Sequence, residues 1–168
     1  MKKIIFALLI ACLLPACTTV GEPFERYPSI DAGKGQLIIF NAKKDDVKLL
    51  MPVIVSCNDK PCGKILYKYD STVNGLYTVQ NLPEGVIKVS IKNNLNWTLG
   101  PKISIRANEL NVNIESGRRT VVMATLISGS ETYYGNTLST ASHNYVLQEI
   151  AEESALPLLR GLKQPARF

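Results

Sequence analysis

Leu110-Asn111-Val112-Asn113-Ile114 alternates apolar and polar residues at every step. Gly117-Arg118 follows, and Thr120-Val121-Val122-Met123-Ala124-Thr125-Leu126 resumes an apolar, β-branched run. A period of two puts alternate side chains on opposite faces of a strand. A Gly-containing break between two such runs reads as a turn between strands. The same pattern recurs upstream. Leu37-Ile38-Ile39-Phe40, Val53-Ile54-Val55, Ile65-Leu66-Tyr67-Lys68-Tyr69, Leu76-Tyr77-Thr78-Val79 and Ile103-Ser104-Ile105 are short β-like runs. Ile87, Val89 and Ile91 alternate with Lys88, Ser90 and Lys92. Asn74-Gly75 and Asn81-Leu82-Pro83-Glu84-Gly85 carry turn chemistry. About eight such runs predict a mainly β chain. The expected architecture is a single antiparallel β-sandwich of about seven or eight strands over residues 36–127. No long amphipathic helix interrupts the runs, which argues against βαβ units.

The flanks read differently. Residues 128–144 are small and polar, with Tyr133 and Tyr134 among them, and predict a polar loop. A connection of that length is usually functional or disordered. Residues 145–168 predict a helical C-terminal tail, from the spacing of Val146, Ile150, Leu156, Leu159 and Leu162. Glu149, Glu152 and Glu153 lie early in it, and Arg160 and Lys163 late, which suits the helix dipole. Pro157 predicts two short helical pieces, the second starting near Ser154. Residues 17–35 hold Pro23, Pro28, Gly21, Gly33 and Gly35 and predict a flexible or extended tether. Phe24, Tyr27 and Ile30 are apolar islands in it, suited to docking on the domain or on a partner.

The N-terminus carries an address. Met1-Lys2-Lys3 is a positive start, and residues 4–14 form a short apolar run. Together with the small residue Ala16 this reads as a secretory signal peptide, residues 1–16. The run is short of the ~20 residues of a comfortable span. Leu14-Pro15-Ala16-Cys17 resembles the lipobox of bacterial lipoproteins. The resemblance implies a diacylglycerol and an acyl chain such as palmitate on Cys17. Thr18, standing where Asp signals retention in the inner membrane, implies export to the outer membrane. The mature protein is then expected on its periplasmic side.

Without a sixteen-residue signal, 152 residues remain, enough for one domain with a real core. The net charge of +5 falls to +3 once Lys2 and Lys3 leave. That excess is dispersed: Asp45-Asp46 answers Lys43-Lys44, and Arg118-Arg119 stands apart. It argues against a nucleic-acid partner and is compatible with anionic lipid or lipopolysaccharide. Of four cysteines, Cys57 and Cys62 remain as an even pair in an oxidising compartment. Asn58-Asp59-Lys60-Pro61 between them makes a tight turn. A structural disulfide is the favoured reading. A zinc site would need two further ligands, and His143 is the only His. The spacing also departs from the redox pattern C-x-x-C.

The β region resembles bacterial lipoproteins with DUF2846-type domains, related in appearance to carboxypeptidase-regulatory and PEGA-like sandwiches. The residues that carry this are Gly35-Gln36-Leu37-Ile38-Ile39-Phe40, the stretch from Gly75-Leu76-Tyr77 to Leu82-Pro83-Glu84-Gly85-Val86, and Glu152-Glu153-Ser154-Ala155-Leu156. The resemblance implies an accessory or scaffolding module, not a particular activity.

No catalytic set stands out. H-E-x-x-H, G-x-S-x-G and phosphate-loop patterns are missing from the sequence. Ser142-His143 adjacency does not by itself put one in reach of the other. No cofactor is implied. Trp97, the only Trp, lies in Asn93-Asn94-Leu95-Asn96-Trp97-Thr98. Such a stretch suits a carbohydrate-binding loop, though an apolar plug at a sandwich end is the favoured reading. The expected function is that of a non-enzymatic outer-membrane lipoprotein. It would serve as an accessory subunit among other envelope proteins, for example in a secretion system. A cell-wall glycan or lipopolysaccharide-binding module is the alternative. Trp97, Tyr133 and Tyr134 are the candidate ligand or partner contacts.

Overall fold

The computed structural model describes residues 20–41, 52–66, 77–96, 102–135 and 137–165. The expected signal peptide, Cys17, the Asn74-Gly75 turn and Trp97 lie outside the described residues. Within them the chain is mainly β, with two sheets and one short helix. The strands are β1 (Val20–Pro23), β2 (Gly35–Asn41), β3 (Pro52–Cys57), β4 (Lys60–Leu66), β5 (Tyr77–Leu82) and β6 (Gly85–Asn96). They continue with β7 (Lys102–Ala107), β8 (Leu110–Ile114), β9 (Arg119–Tyr134) and β10 (Thr137–Ile150). Helix α1 (Glu152–Leu159) and β11 (Lys163–Pro165) follow.

The large sheet runs β4-β3-β6-β7-β10-β9-β2-β5, with β8 added on β6, and β1 pairs with β11 in a separate ribbon. Strand β6 is the corner. Its first half pairs with β8 and β3, and its second half, Lys92 to Asn96, pairs with β7. By changing partners it folds the sheet into two layers, an arrangement consistent with a β-sandwich. The ends of the path, β4 and β5, meet. A Cβ at Gly63 would overlap Thr78, and Gln80 Nε2 donates to the Cys62 carbonyl. Between the layers lie Leu37, Ile39, Val55, Ile91, Ile105, Ile114, Val122 and Leu147.

Strand β2 is buried along its whole length. Leu37 and Ile39 face the inter-layer core. Ile38 and Phe40 face outward and are covered by Phe24, Ala155, Leu159 and Leu162. The unbroken apolar run at 37–40 follows from that double burial. Two pairings are parallel, β2 with β9 and β7 with β10. This corrects the expectation of an antiparallel sandwich. Neither pair is joined by a hairpin, so the packing of layers sets their direction, not a turn.

The expected loop at 128–144 is instead the outer part of a long hairpin. Strands β9 and β10 pair from Val121↔Ile150 to Tyr134↔Thr137. Ala141, His143, Tyr145 and Leu147 are buried, while Ser142, Asn144 and Val146 between them are exposed. Ser128 and Ser130, opposite Asn144 and Ser142, are exposed as well. A strand that gives one face to water can carry Ser, Thr and Asn there, and its composition then looks like a loop. The helical tail expected from residue 145 is corrected likewise: residues 145–150 belong to β10. Among the described residues of that tail the helix is Glu152–Leu159, in one piece with Pro157 inside it.

The stretch expected as a flexible tether is attached to the fold from Val20 onward. Val20 and Pro23 pair with Pro165 and Lys163, and Phe24 N donates to Leu162 O at 2.7 Å. Phe24 is 3% exposed, and its ring meets Tyr27 and Tyr77 edge-on at 5.3 and 5.1 Å. Phe24 and Tyr27 dock because the outer face of β2 would otherwise stand in water.

Candidate interaction site on the β9–β10 hairpin

Two polar clusters are built into opposite parts of the fold. The first is a clamp beneath the N-terminal segment. Gln36, fully buried on β2, donates from Nε2 to Ser29 O and Asn81 Oδ1, both at 3.1 Å. Its Oε1 accepts from Arg119 Nε at 3.0 Å. The same guanidinium donates to Pro28 O at 2.9 Å and pairs with Glu152 at 3.2 Å. It lies 5.1 Å from the centre of the Tyr27 ring, and Tyr27 OH donates to Glu152 O at 2.7 Å. Burial is the main cause that raises the Tyr27 phenol above its ordinary value, with Glu152 adding to it. Satisfied on every side, this network joins strap, sheet and helix as a structural element.

The second cluster lies on the inward face of the hairpin. His143 is 2% exposed and stands opposite Gly129. Its Nε2 is 3.6 Å from Glu131 Oε1. Neither ring nitrogen has a hydrogen-bond partner among the described residues. The ring lies so close to β9 that a Cβ at Gly129 would come 2.8 Å from Nδ1. Gly129 is therefore required by the close approach of the imidazole. Burial holds His143 below its ordinary pKa of 6.5, and the Glu131 carboxylate opposes that shift. Glu131 also accepts from Tyr133 OH at 2.6 Å. One carboxylate thus links a buried imidazole to a tyrosine near the end of the hairpin.

The sequence-predicted residues fall into three groups. Cys57 and Cys62 form the expected disulfide, with 5.6 Å between Cα atoms. It spans the β3–β4 turn, where Asn58 and Asp59 both take positive φ. That turn is fastened to β6: Asn58 N donates to Lys88 O, Lys88 N donates to Asn58 Oδ1, and Lys88 Nζ meets Asp59 at 2.8 Å. Tyr133 and Tyr134 follow one another at the end of β9, 49% and 88% exposed. Cys17 and Trp97 are outside the described residues.

Ser142 and His143 point to opposite faces of β10, one exposed and one buried, so they form no nucleophile–base pair. Glu152 is engaged by Arg119, and Glu153 is exposed. Among the described residues no group of three or more His, Cys, Asp or Glu side chains is placed to hold a metal ion. Sequence reasoning missed Gln36, Arg119 and Glu131. The one signal available was a polar or glycine residue on the inward phase of a strand: Gln36 beside an apolar run, and Gly129 and Glu131 in step with each other. The chain matches no family model, no curated protein and no solved structure.

Proposed function

We propose that this chain is a non-enzymatic lipoprotein of the bacterial outer membrane, anchored through acyl chains on Cys17 and facing the periplasm. It acts by contact, as an accessory subunit of an envelope assembly such as a secretion system. The observation that supports contact as its mode of action is the pair Tyr133 and Tyr134, consecutive in the chain and both exposed at the end of the β9–β10 hairpin. Tyrosine is favoured in interface cores because its ring buries much area while its hydroxyl still finds a partner. The separation of Ser142 from His143 across the strand speaks in the same direction, away from acyl transfer. A two-layer β fold is also in keeping with the DUF2846-like, carboxypeptidase-regulatory-like sandwich that the turn motifs resemble.

The test is a pull-down from detergent-solubilised membranes with the wild-type chain and with a Tyr133→Ala, Tyr134→Ala double variant. A defined stoichiometric set of envelope proteins, lost in the variant, is the expected result. Retention on peptidoglycan or lipopolysaccharide that Trp97→Ala abolishes would replace this reading with a glycan-binding one. Cys17→Ser should leave the precursor uncleaved and out of the outer-membrane fraction; normal maturation of that variant would remove the anchor from the reading.

A further inference from the structure

The lipid attachment proposed above and the first strand are separated by two residues, Thr18 and Thr19. From Cys17 to Val20 the chain can reach at most about 11 Å. The fold adds little slack after that point. Strand β1 is paired with β11, Phe24 is buried and hydrogen-bonded to Leu162, and Arg119 holds Pro28. A long tether would let the domain reach into the periplasm; this attachment does not.

The segments that leave β1 and lead into β11 carry the residue types of a bilayer interface. Leu158, in the last turn of α1, is 47% exposed. Arg26 and Arg160 are exposed and Lys163 is half-buried. None of the three cations has an ion-pair partner among the described residues, and Glu25 is the exposed anion next to Arg26. An exposed aliphatic side chain followed closely in the chain by Arg and Lys suits a headgroup layer, where the apolar chain enters the acyl boundary and the cations meet phosphate. Among the described residues no helix is long and apolar enough to cross a membrane.

We infer that the end of α1 and the β1–β11 ribbon lie directly against anionic phospholipid headgroups, so that the domain rides on the membrane surface. The inference rests on the lipid-anchor reading of Cys17. Hydrogen exchange on the full lipidated chain tests it, comparing vesicles of phosphatidylethanolamine and phosphatidylglycerol with uncharged detergent micelles. Residues 152–165 should exchange several-fold more slowly in the vesicles. A flexible Gly/Ser insertion between Thr19 and Val20, or the pair Arg160→Glu with Lys163→Glu, should return them to the micelle rate. Equal rates in vesicles and micelles, on protein whose Cys17 is shown by mass to be acylated, would overturn the inference and leave the anchor standing. A Cys17 mass without acyl chains would overturn the anchor and the inference with it.

Discussion

The N-terminal strap, residues 24–34, and the outer half of the β9–β10 hairpin are both poor in aliphatic side chains, yet the fold uses them in opposite ways. The strap contributes few apolar groups, and Phe24 and Tyr27 among them join the cluster that covers the outer face of β2. Phe24 closes over Tyr77, and a satisfied Gln36–Arg119–Glu152 network holds the backbone beside it. The hairpin is held by its own ladder and keeps one face in water. Its inward polar group, His143, lacks the hydrogen bonds that Gln36 enjoys. The difference teaches that a polar-rich segment becomes structural when its buried donors and acceptors are matched. Where they are only partly matched, a site that responds to its surroundings results.

The largest effect should come from breaking the strap. Phe24→Ala removes a buried ring between Tyr27 and Tyr77 and should cost about 3–5 kcal/mol in chemical denaturation. A loss well under that range would mean that the strap does not depend on this ring. On the hairpin side, Gly129→Ala forces the His143 ring away from β9 and should cost roughly 1–3 kcal/mol.

Arg119→Ala is the matching test of the clamp. It leaves Gln36 Oε1 buried without its donor, at a cost of about 1–3 kcal/mol. It should also raise amide exchange in residues 24–31 while leaving β10 unchanged. Exchange that rises equally in both regions would erase the contrast between them.

The pH dependence comes next. His143 is held below 6.5 in the folded chain, so between its folded value and 6.5 the unfolded chain binds the extra proton. Stability from this group is therefore complete above about pH 6.5 and declines as pH falls below it. His143→Leu should flatten that part of the profile; an unchanged slope in the variant would assign the acid sensitivity elsewhere. Smallest of all, Tyr134→Ala should shift stability by no more than about 0.5 kcal/mol, because the side chain lies almost wholly in solvent. Its effect belongs in partner binding, and a large drop in melting temperature would show a packing role instead.

Residues 103–126 made the β class legible, because their alternation is a local property of each strand and needs no partner to be seen. The Cys57–Cys62 disulfide was legible for the same reason: a short turn between two apolar runs already brings the sulfurs within reach. In β10 the pattern Ala141-Ser142-His143-Asn144-Tyr145-Val146-Leu147 also alternates. Its inward set mixes small, polar and aromatic residues, and the spacing of Val146 and Ile150 imitates a helix. Burial, not residue type, distinguishes its two faces.

What tertiary structure alone decided is which surfaces meet. Nothing local to Leu37-Ile38-Ile39-Phe40 says that one face meets the second layer while the other meets the strap and α1. Nothing local to β2 or β7 makes it run parallel to β9 or β10. Those choices depend on contacts between residues far apart in the chain, where loop entropy and shared burial outweigh propensity. The same holds for Arg119. In the sequence it is half of a solvated Arg-Arg pair, and only the arrival of Gln36, Pro28 and Glu152 around one guanidinium makes it a clamp. Local sequence chose the strands, the turn and the bridging cysteines, since each is settled within a few residues. The closure of the layers and the partners of buried polar groups waited for the fold, since only there does burial attach a cost to every unmatched donor and acceptor.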